Sequence, residues 1–284
     1  MKYSAVIAFC LLLGLAGCNK IPHEQQSVSI PVSGTDIALA GTVIWPEGEG
    51  PFPLAILNHG TSSAANRAKF NYWRKPHVVN ALIERGFAVL IPMRRGFGAT
   101  GGEYRATTDG CAVEHPNFYE AGIKAGEDIV AAINFAPTID RVNSGRIILV
   151  GHSAGGYGAI AAASMAPSKV AAVANFGGGR GGRYSAWGEP CHPEVLAEAI
   201  TRYTQSITAP VLWYYAENDR FFSPKAATQW FDAYTAAGGK GALVIGPAFK
   251  DNGHSILMAK DGIPIWTPSF DQFLKQYELI NSSQ

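Results

Sequence analysis

The 284-residue sequence lacks the signatures of several protein classes. Neither sign of charge dominates: 23 Lys and Arg stand against 22 Asp and Glu, for a net +1, and no run of like charge occurs. That excludes a basic field for nucleic acid and an acidic interaction tail. Cysteine is scarce at four residues, and the seven histidines show no metal-ligand spacing, so neither metal nor cofactor is expected. There is no internal repeat and no low-complexity tract. The apolar run over residues 5–13 is too short to span a bilayer as a mature helix. What remains is a chain with 47% hydrophobic and 16% charged residues, long enough for a sizeable core and suited to a small-molecule partner.

The first residues differ in kind from the rest. Lys2 precedes that apolar run, which leads into Leu15-Ala16-Gly17-Cys18. This resembles the bacterial lipoprotein signal, in which cleavage precedes the cysteine and its thiol receives a diacylglycerol. The resemblance implies a signal peptide over 1–17, lipidation at Cys18, a tether over 18–30 and a folded domain over 31–284. Acyl chains contributing about 0.8 kcal/mol per buried CH₂ would hold such a protein at a membrane. The implied location is the bacterial cell envelope, exported and lipid-anchored, on the periplasmic side or at the outer membrane. By the same resemblance, Asn19 in place of Asp implies sorting to the outer membrane. A plain secretory signal and a retained transmembrane helix are the alternatives. With Cys10 in the signal and Cys18 lipidated, Cys111 and Cys191 are left, and export favours a disulfide between them over two free thiols. Closing that loop would stabilise by about 4 kcal/mol in the chain-entropy model.

Further along, short apolar strands alternate with helices. Residues 28–33 and 37–45 read as an antiparallel pair turning near Ser33-Gly34-Thr35-Asp36. Strands are expected at 54–58, 87–92, 146–150, 170–176, 210–215 and 242–245. Helices are expected at 72–85, 120–135, 154–165, 194–203, 225–237 and 268–277. Such alternation implies one α/β domain, a mainly parallel sheet with antiparallel N-terminal strands and helices on both faces. The longer irregular stretches at 96–118 and 177–192 are expected to shape a pocket.

The strand over 146–150 runs into Gly151-His152-Ser153-Ala154-Gly155 and then an Ala-rich helix. A strand ending in Gly-x-Ser-x-Gly before a helix is a nucleophile elbow, which holds the serine on a strained turn at the end of a sheet. A serine hydroxyl needs a histidine to take its proton, and the histidine needs a carboxylate to fix its tautomer. Downstream, the strand at 210–215 leads to Asp219, with Glu217 a poorer second choice, and the strand at 242–245 is followed by His254. The proposed oxyanion donors are the amides of Ala154 and Thr61, with Ser62 the fallback. His59 and His152 precede the acid and read as structural or pocket-lining. His192 is a weak rival base, and His77 and His115 lack supporting neighbours.

These motifs resemble the α/β-hydrolase superfamily, in its dienelactone hydrolase-like and prolyl oligopeptidase-like branch. The resemblance rests on Asn58-His59-Gly60, the run from Arg95-Gly96-Phe97-Gly98 to Gly101-Gly102, the elbow with Gly156, Asp219 and His254, in the expected chain order. It implies an α/β-hydrolase fold and a serine hydrolase cleaving a carboxylic ester or related acyl bond of a small molecule. Alternatives are a serine peptidase of the prolyl oligopeptidase-like type, or a catalytically silent binding lipoprotein. The branch's namesake uses cysteine where Ser153 stands, and the propeller domain of prolyl oligopeptidases is missing.

Other features have two readings each. Arg94 and Arg95 either bind a substrate carboxylate or order the glycine-rich loop, Arg95 through backbone carbonyls. The run Gly177-Gly178-Gly179-Arg180-Gly181-Gly182-Arg183 lacks the Lys-Ser/Thr pair of a phosphate loop and reads as a mobile pocket wall. Phe97, Trp187, Phe221 and Phe222 either line an apolar cleft or pack as core and lid.

Overall fold

A computed structural model describes residues 24–70, 75–185 and 187–280. The signal-like segment 1–17, Cys18 and residues 19–23 lie outside the described residues. Eight strands make one sheet: β1 (Glu24–Pro31), β2 (Ala38–Trp45), β3 (Phe52–Asn58), β4 (Ala88–Pro92), β5 (Val142–His152), β6 (Val170–Phe176), β7 (Val211–Ala216) and β8 (Gly241–Gly246). Their order is β1-β2-β4-β3-β5-β6-β7-β8. β1 and β2 pair antiparallel, β2 meets β4 antiparallel, and all other neighbours are parallel. This is the α/β-hydrolase fold.

The period of two along each strand divides the core into two layers. Ile147 and Leu149 face one side with Leu54, Ile56, Val211 and Trp213. There they meet α3 (Phe118–Phe135), α4 (Ala154–Met165), α5 (Pro193–Thr204) and α6 (Pro224–Ala236) through Ile129, Ile160, Leu196 and Trp230. Ile148 and Val150 face the other side with Ala55, Leu57, Leu212 and Tyr214. That layer is closed by α2 (Pro76–Ile83) and α7 (Ile263–Gln276) through Leu82, Trp266 and Phe270. A short α1 (Ala64–Arg67) follows β3. Helices α2, α5 and α6 each begin with proline, whose missing N–H costs nothing in the first turn. Ser223 caps α6 through the Ala226 amide.

Several boundaries differ from the sequence reading, among them the starts of β1, β5, α7 and α2. Strand β1 begins at Glu24, inside the stretch expected to be tether. Its exposed polar residues are held by pairing with β2, from Glu24 opposite Trp45 to Pro31 opposite Ala38. Helix α7 starts five residues before Pro268, which sits inside it. Pro264 near its start takes the position favoured for proline, and Pro268 interrupts the hydrogen-bond ladder one turn later. Helix α2 starts at Pro76, and residues 72–74 of the helix expected over 72–85 lie outside the described residues.

Loops leaving the C-terminal ends of β3, β5, β6, β7 and β8 gather at one rim of the sheet. In open α/β sheets that rim is where ligands bind.

Candidate active site

The turn from β5 into α4 carries Ser153 at φ 55° and ψ −127°, a left-handed conformation that costs a non-glycine residue energy. It persists because its surroundings over-determine it. The Ser153 amide donates to the Phe176 carbonyl at 2.9 Å, and α4 starts at the next residue. Gly155 explains the small residue two positions on. A Cβ there would stand 2.2 Å from the His59 carbonyl oxygen and 2.5 Å from that of Asn58. The loop after β3 therefore lies directly against the elbow.

Asp219 follows the end of β7 and is 3% exposed. Its Oδ1 accepts from the amides of Phe221 at 2.8 Å and Phe222 at 3.0 Å. Its Oδ2 lies 2.8 Å from His254 Nδ1. That nitrogen donates to the carboxylate, leaving Nε2 as the free basic position of a neutral imidazole. Glu217, the second choice from sequence, is exposed, and its amide bonds the Gly246 carbonyl.

The loops bearing Asp219 and His254 are stitched together by two asparagines. Asn252 Oδ1 accepts from the amides of Arg220 and His254 at 3.0 and 3.1 Å. Asn218 accepts from the Phe249 amide at 2.8 Å and donates to the Lys250 carbonyl at 2.8 Å. Phe221 and Phe222 pack on the imidazole with ring centroids 4.6 and 5.7 Å away.

Ser153 and His254 line one cavity of about 350 Å³, with Thr61, Ala154, Thr108, Cys111, Phe221 and the wall Gly179–Gly182. Both irregular loops, 96–118 and 177–192, thus contribute to it. Among the described residues no hydrogen bond joins the Ser153 and His254 side chains; unliganded sites commonly close that contact only around substrate. Ala154 opens α4, so its amide has no acceptor within the helix. A larger cavity of about 510 Å³ sits by β1 and β2, lined by Val28, Thr42, Phe70 and Met93.

The remaining histidines separate by their bonds. His59 is buried, with Nδ1 donating to the Gly60 carbonyl at 2.8 Å and Nε2 accepting from the Arg94 amide at 3.1 Å. Burial, and then Arg94, push its pKa well below the usual value, so it is a neutral strut between two loops. His152 Nε2 donates to the His254 carbonyl at 2.7 Å, and burial, with His254 beside it, brings its pKa down to about 3. Sequence reasoning missed this link, which spans 102 positions. His192 heads α5, with Nε2 3.2 Å from the Cys111 carbonyl, outside the cavity lining.

Cys111 and Cys191 form a disulfide with Cα atoms 5.7 Å apart. It pins the 177–192 loop to the 96–118 loop at the cavity edge.

One expectation needs correction. Arg95 does not order its loop through carbonyls. Its Nε donates to Asp128 Oδ1 at 2.6 Å and its Nη2 to Glu127 at 3.0 Å, because α3 brings both carboxylates beneath it. Arg94 is the one that donates to a carbonyl, that of Gly60, at 3.1 Å. Of the four aromatics, only Phe221 and Phe222 line the cavity. Phe97 is buried against His59, Phe70 and Tyr104, and Trp187 is 79% exposed.

Among the described residues no cluster of three His, Cys, Asp or Glu could hold a metal, and no helix is long and apolar enough to cross a membrane.

Residues 54–178 match the family model described as alpha/beta hydrolase fold. Among curated proteins none matches the chain by sequence. Solved structures similar to it include the Pyrococcus horikoshii acylaminoacyl peptidase, at TM-score 0.63 and 16% identity, covering 90% of this chain. The match takes in 42% of that peptidase, so this chain spans less than half its length. The Pyrococcus furiosus esterase Pf2001 aligns at TM-score 0.60 and 19% identity, over 89% of this chain and 93% of the esterase. A Klebsiella pneumoniae protein assigned as a dienelactone hydrolase aligns at 0.61 and 15%, over 90% and 99%. At these identities the likeness establishes the shared fold.

Proposed function

We propose that this protein is a serine hydrolase of the dienelactone hydrolase-like and prolyl oligopeptidase-like branch, acting on carboxylic esters of small molecules. The observation carrying this reading is the His254–Asp219 contact of 2.8 Å at the rim of the cavity that Ser153 lines from its left-handed turn.

In this reading Ser153 Oγ attacks the ester carbonyl while His254 Nε2 takes its proton. Asp219 keeps the imidazole in the working tautomer and stabilises the imidazolium. The amides of Ala154 and Thr61 hold the tetrahedral oxyanion. His254 then gives its proton to the leaving alcohol, forming an acyl-enzyme on Ser153. Water, deprotonated by His254, attacks that acyl group and releases the acid and the free serine.

The likeness to an acylaminoacyl peptidase keeps amide cleavage as a second reading. Comparing p-nitrophenyl esters with peptide anilides separates the two. Turnover of esters by the wild type and not by Ser153→Ala supports the proposal. Equal turnover by both proteins overturns the nucleophile, and turnover of anilides alone favours the peptidase.

The disulfide supports an exported protein, since such bonds persist in oxidising compartments. With Cys18 lipidated, the hydrolase would face the cell envelope from a membrane anchor. Mass spectrometry of the protein purified from membranes tests this: a diacylglyceryl adduct on Cys18 is expected, and an unmodified residue there overturns it.

A further inference from the structure

Arg180 stands in the glycine-rich wall of the cavity that Ser153 and His254 line, yet its side chain is only 7% exposed. Its Nη1 donates to the Tyr104 hydroxyl at 3.2 Å. Nε and Nη2 are closed off from water and reach no acceptor. Among the described residues no carboxylate lies within ion-pair distance of this guanidinium. A buried cation left with neither counter-charge nor solvent is costly, and an arriving anion recovers that cost.

The unpartnered edge has a definite chemistry. Nε–H and Nη2–H point side by side and match the two oxygens of a carboxylate. The same edge is used that way elsewhere in this molecule. Arg85 gives its Nε and Nη2 to the two oxygens of Asp271, and Arg95 gives its pair to Asp128 and Glu127. Among the described residues Arg180 presents this fork with no acceptor opposite.

The charge is also held in place. On one side the Gly177 amide bonds the Tyr214 carbonyl at 2.8 Å and the Tyr215 hydroxyl bonds the Gly178 carbonyl at 2.5 Å. On the other, the Cys191 amide bonds the Gly181 carbonyl at 3.0 Å, next to the disulfide. The loop cannot carry Arg180 out to solvent without breaking these ties. Burial alone would raise the phenol of Tyr104, but Arg180, Thr61 and Arg94 outweigh it and hold it below its usual value, as a positive field at this wall requires.

We infer that Arg180 docks a carboxylate carried by the substrate, so that the ester opened at Ser153 is an anionic one. Docking requires the side chain to turn its Nε–Nη2 fork into the cavity, since neither nitrogen is accessible here. The carboxylate belongs either to the acyl part, as in the half-ester of a dicarboxylic acid, or to the alcohol part, as in an O-acylated hydroxy acid. The inference rests on Ser153 being the nucleophile of this cavity.

The test compares monoethyl adipate with diethyl adipate, and O-acetyl-lactate with its methyl ester. With the wild type, one of the two anionic substrates should exceed its neutral counterpart in kcat/KM by about tenfold or more, the scale of a hydrogen-bonded charge pair. The pair showing the preference tells which part carries the carboxylate. Arg180→Gln should bring that ratio near one, and Arg180→Lys should leave an intermediate value. No preference in the wild type, or a preference that survives in Arg180→Gln, overturns the inference. Should Arg180→Gln fail to fold by circular dichroism, wild-type inhibition decides: adipate should compete with a neutral ester and diethyl adipate should not, and lack of inhibition by adipate overturns the inference. Neutral esters turned over with no anionic preference sink Arg180 alone. If no ester is turned over and Ser153 takes no fluorophosphonate, the serine hydrolase reading fails. Calorimetry with adipate then still decides Arg180, by binding to the wild type and not to Arg180→Gln, or by no difference between them.

Discussion

His152 Nε2 donates to the backbone carbonyl of His254 across 2.7 Å, so the residue before the elbow serine holds the loop that carries the imidazole. The two rings lie with centroids 4.7 Å apart. Position 152 of the Gly-x-Ser-x-Gly motif, formally variable, here acts as a brace between the ends of β5 and β8.

Removing that brace should affect turnover more than folding. His152→Ala is expected to lower kcat about tenfold on a neutral ester, the effect of one lost hydrogen bond on the placement of His254. Steady-state kinetics beside a thermal melt checks this. An unchanged kcat would show that Asn252 and Asp219 position His254 without help.

Asp219→Asn replaces Oδ2 with a group that can only donate. It forces His254 to present an unprotonated Nδ1 towards residue 219, and with it the wrong tautomer at the cavity. The backbone amides of Phe221 and Phe222 still find an acceptor in Oδ1. A loss of about 10⁴ in kcat with near-normal stability is expected. A loss below tenfold would mean that Asp219 is not the orienting carboxylate.

The two neutral histidines set an acid limit on stability. Both His59 and His152 have folded-state pKa values depressed below the ordinary 6.5. Below about pH 6.5 the unfolded chain therefore binds protons that the folded one does not, and stability falls as pH falls, for His152 down to about pH 3. Each contributes a slope of up to about 1.4 kcal/mol per pH unit in that window. Urea midpoints at pH 7 and pH 5 measure it. Equal midpoints would contradict the neutral state of both rings.

Loss of the disulfide should act on both stability and binding. The Cys111→Ser, Cys191→Ser double variant is expected to lose about 2–4 kcal/mol of stability. It should also raise KM, because Cys191 anchors Gly181 in the cavity wall. Chemical denaturation and ester kinetics report the two effects. Alkylation of both thiols in the unreduced protein would contradict the bridge.

Much of this was legible from local signals. The Gly-x-Ser-x-Gly turn depends on residues within five positions, and Asp219 and His254 were reached from the rule that such side chains follow strand ends. The pair picked this way lies in hydrogen-bond contact. What was not legible depends on distant partners. His152 meets a carbonyl 102 positions away, and Arg95 meets α3 rather than its own loop. Arg180 sits in a glycine run that reads in the sequence as a mobile pocket wall, with nothing in the pattern to show that its side chain is buried and tied down. Its burial beside the cavity appears once β6, β7 and the disulfide are in place. The early start of β1 is not legible because exposed Glu and Gln in an edge strand show no apolar alternation.

The most direct measurement is the intact mass of the protein after exposure to a fluorophosphonate, with peptide mapping of the adduct. The account predicts one adduct on wild type, mapped to Ser153, and none on Ser153→Ala or on the heat-unfolded chain. No adduct on folded wild type, or one carried by another residue and kept in Ser153→Ala, would contradict it.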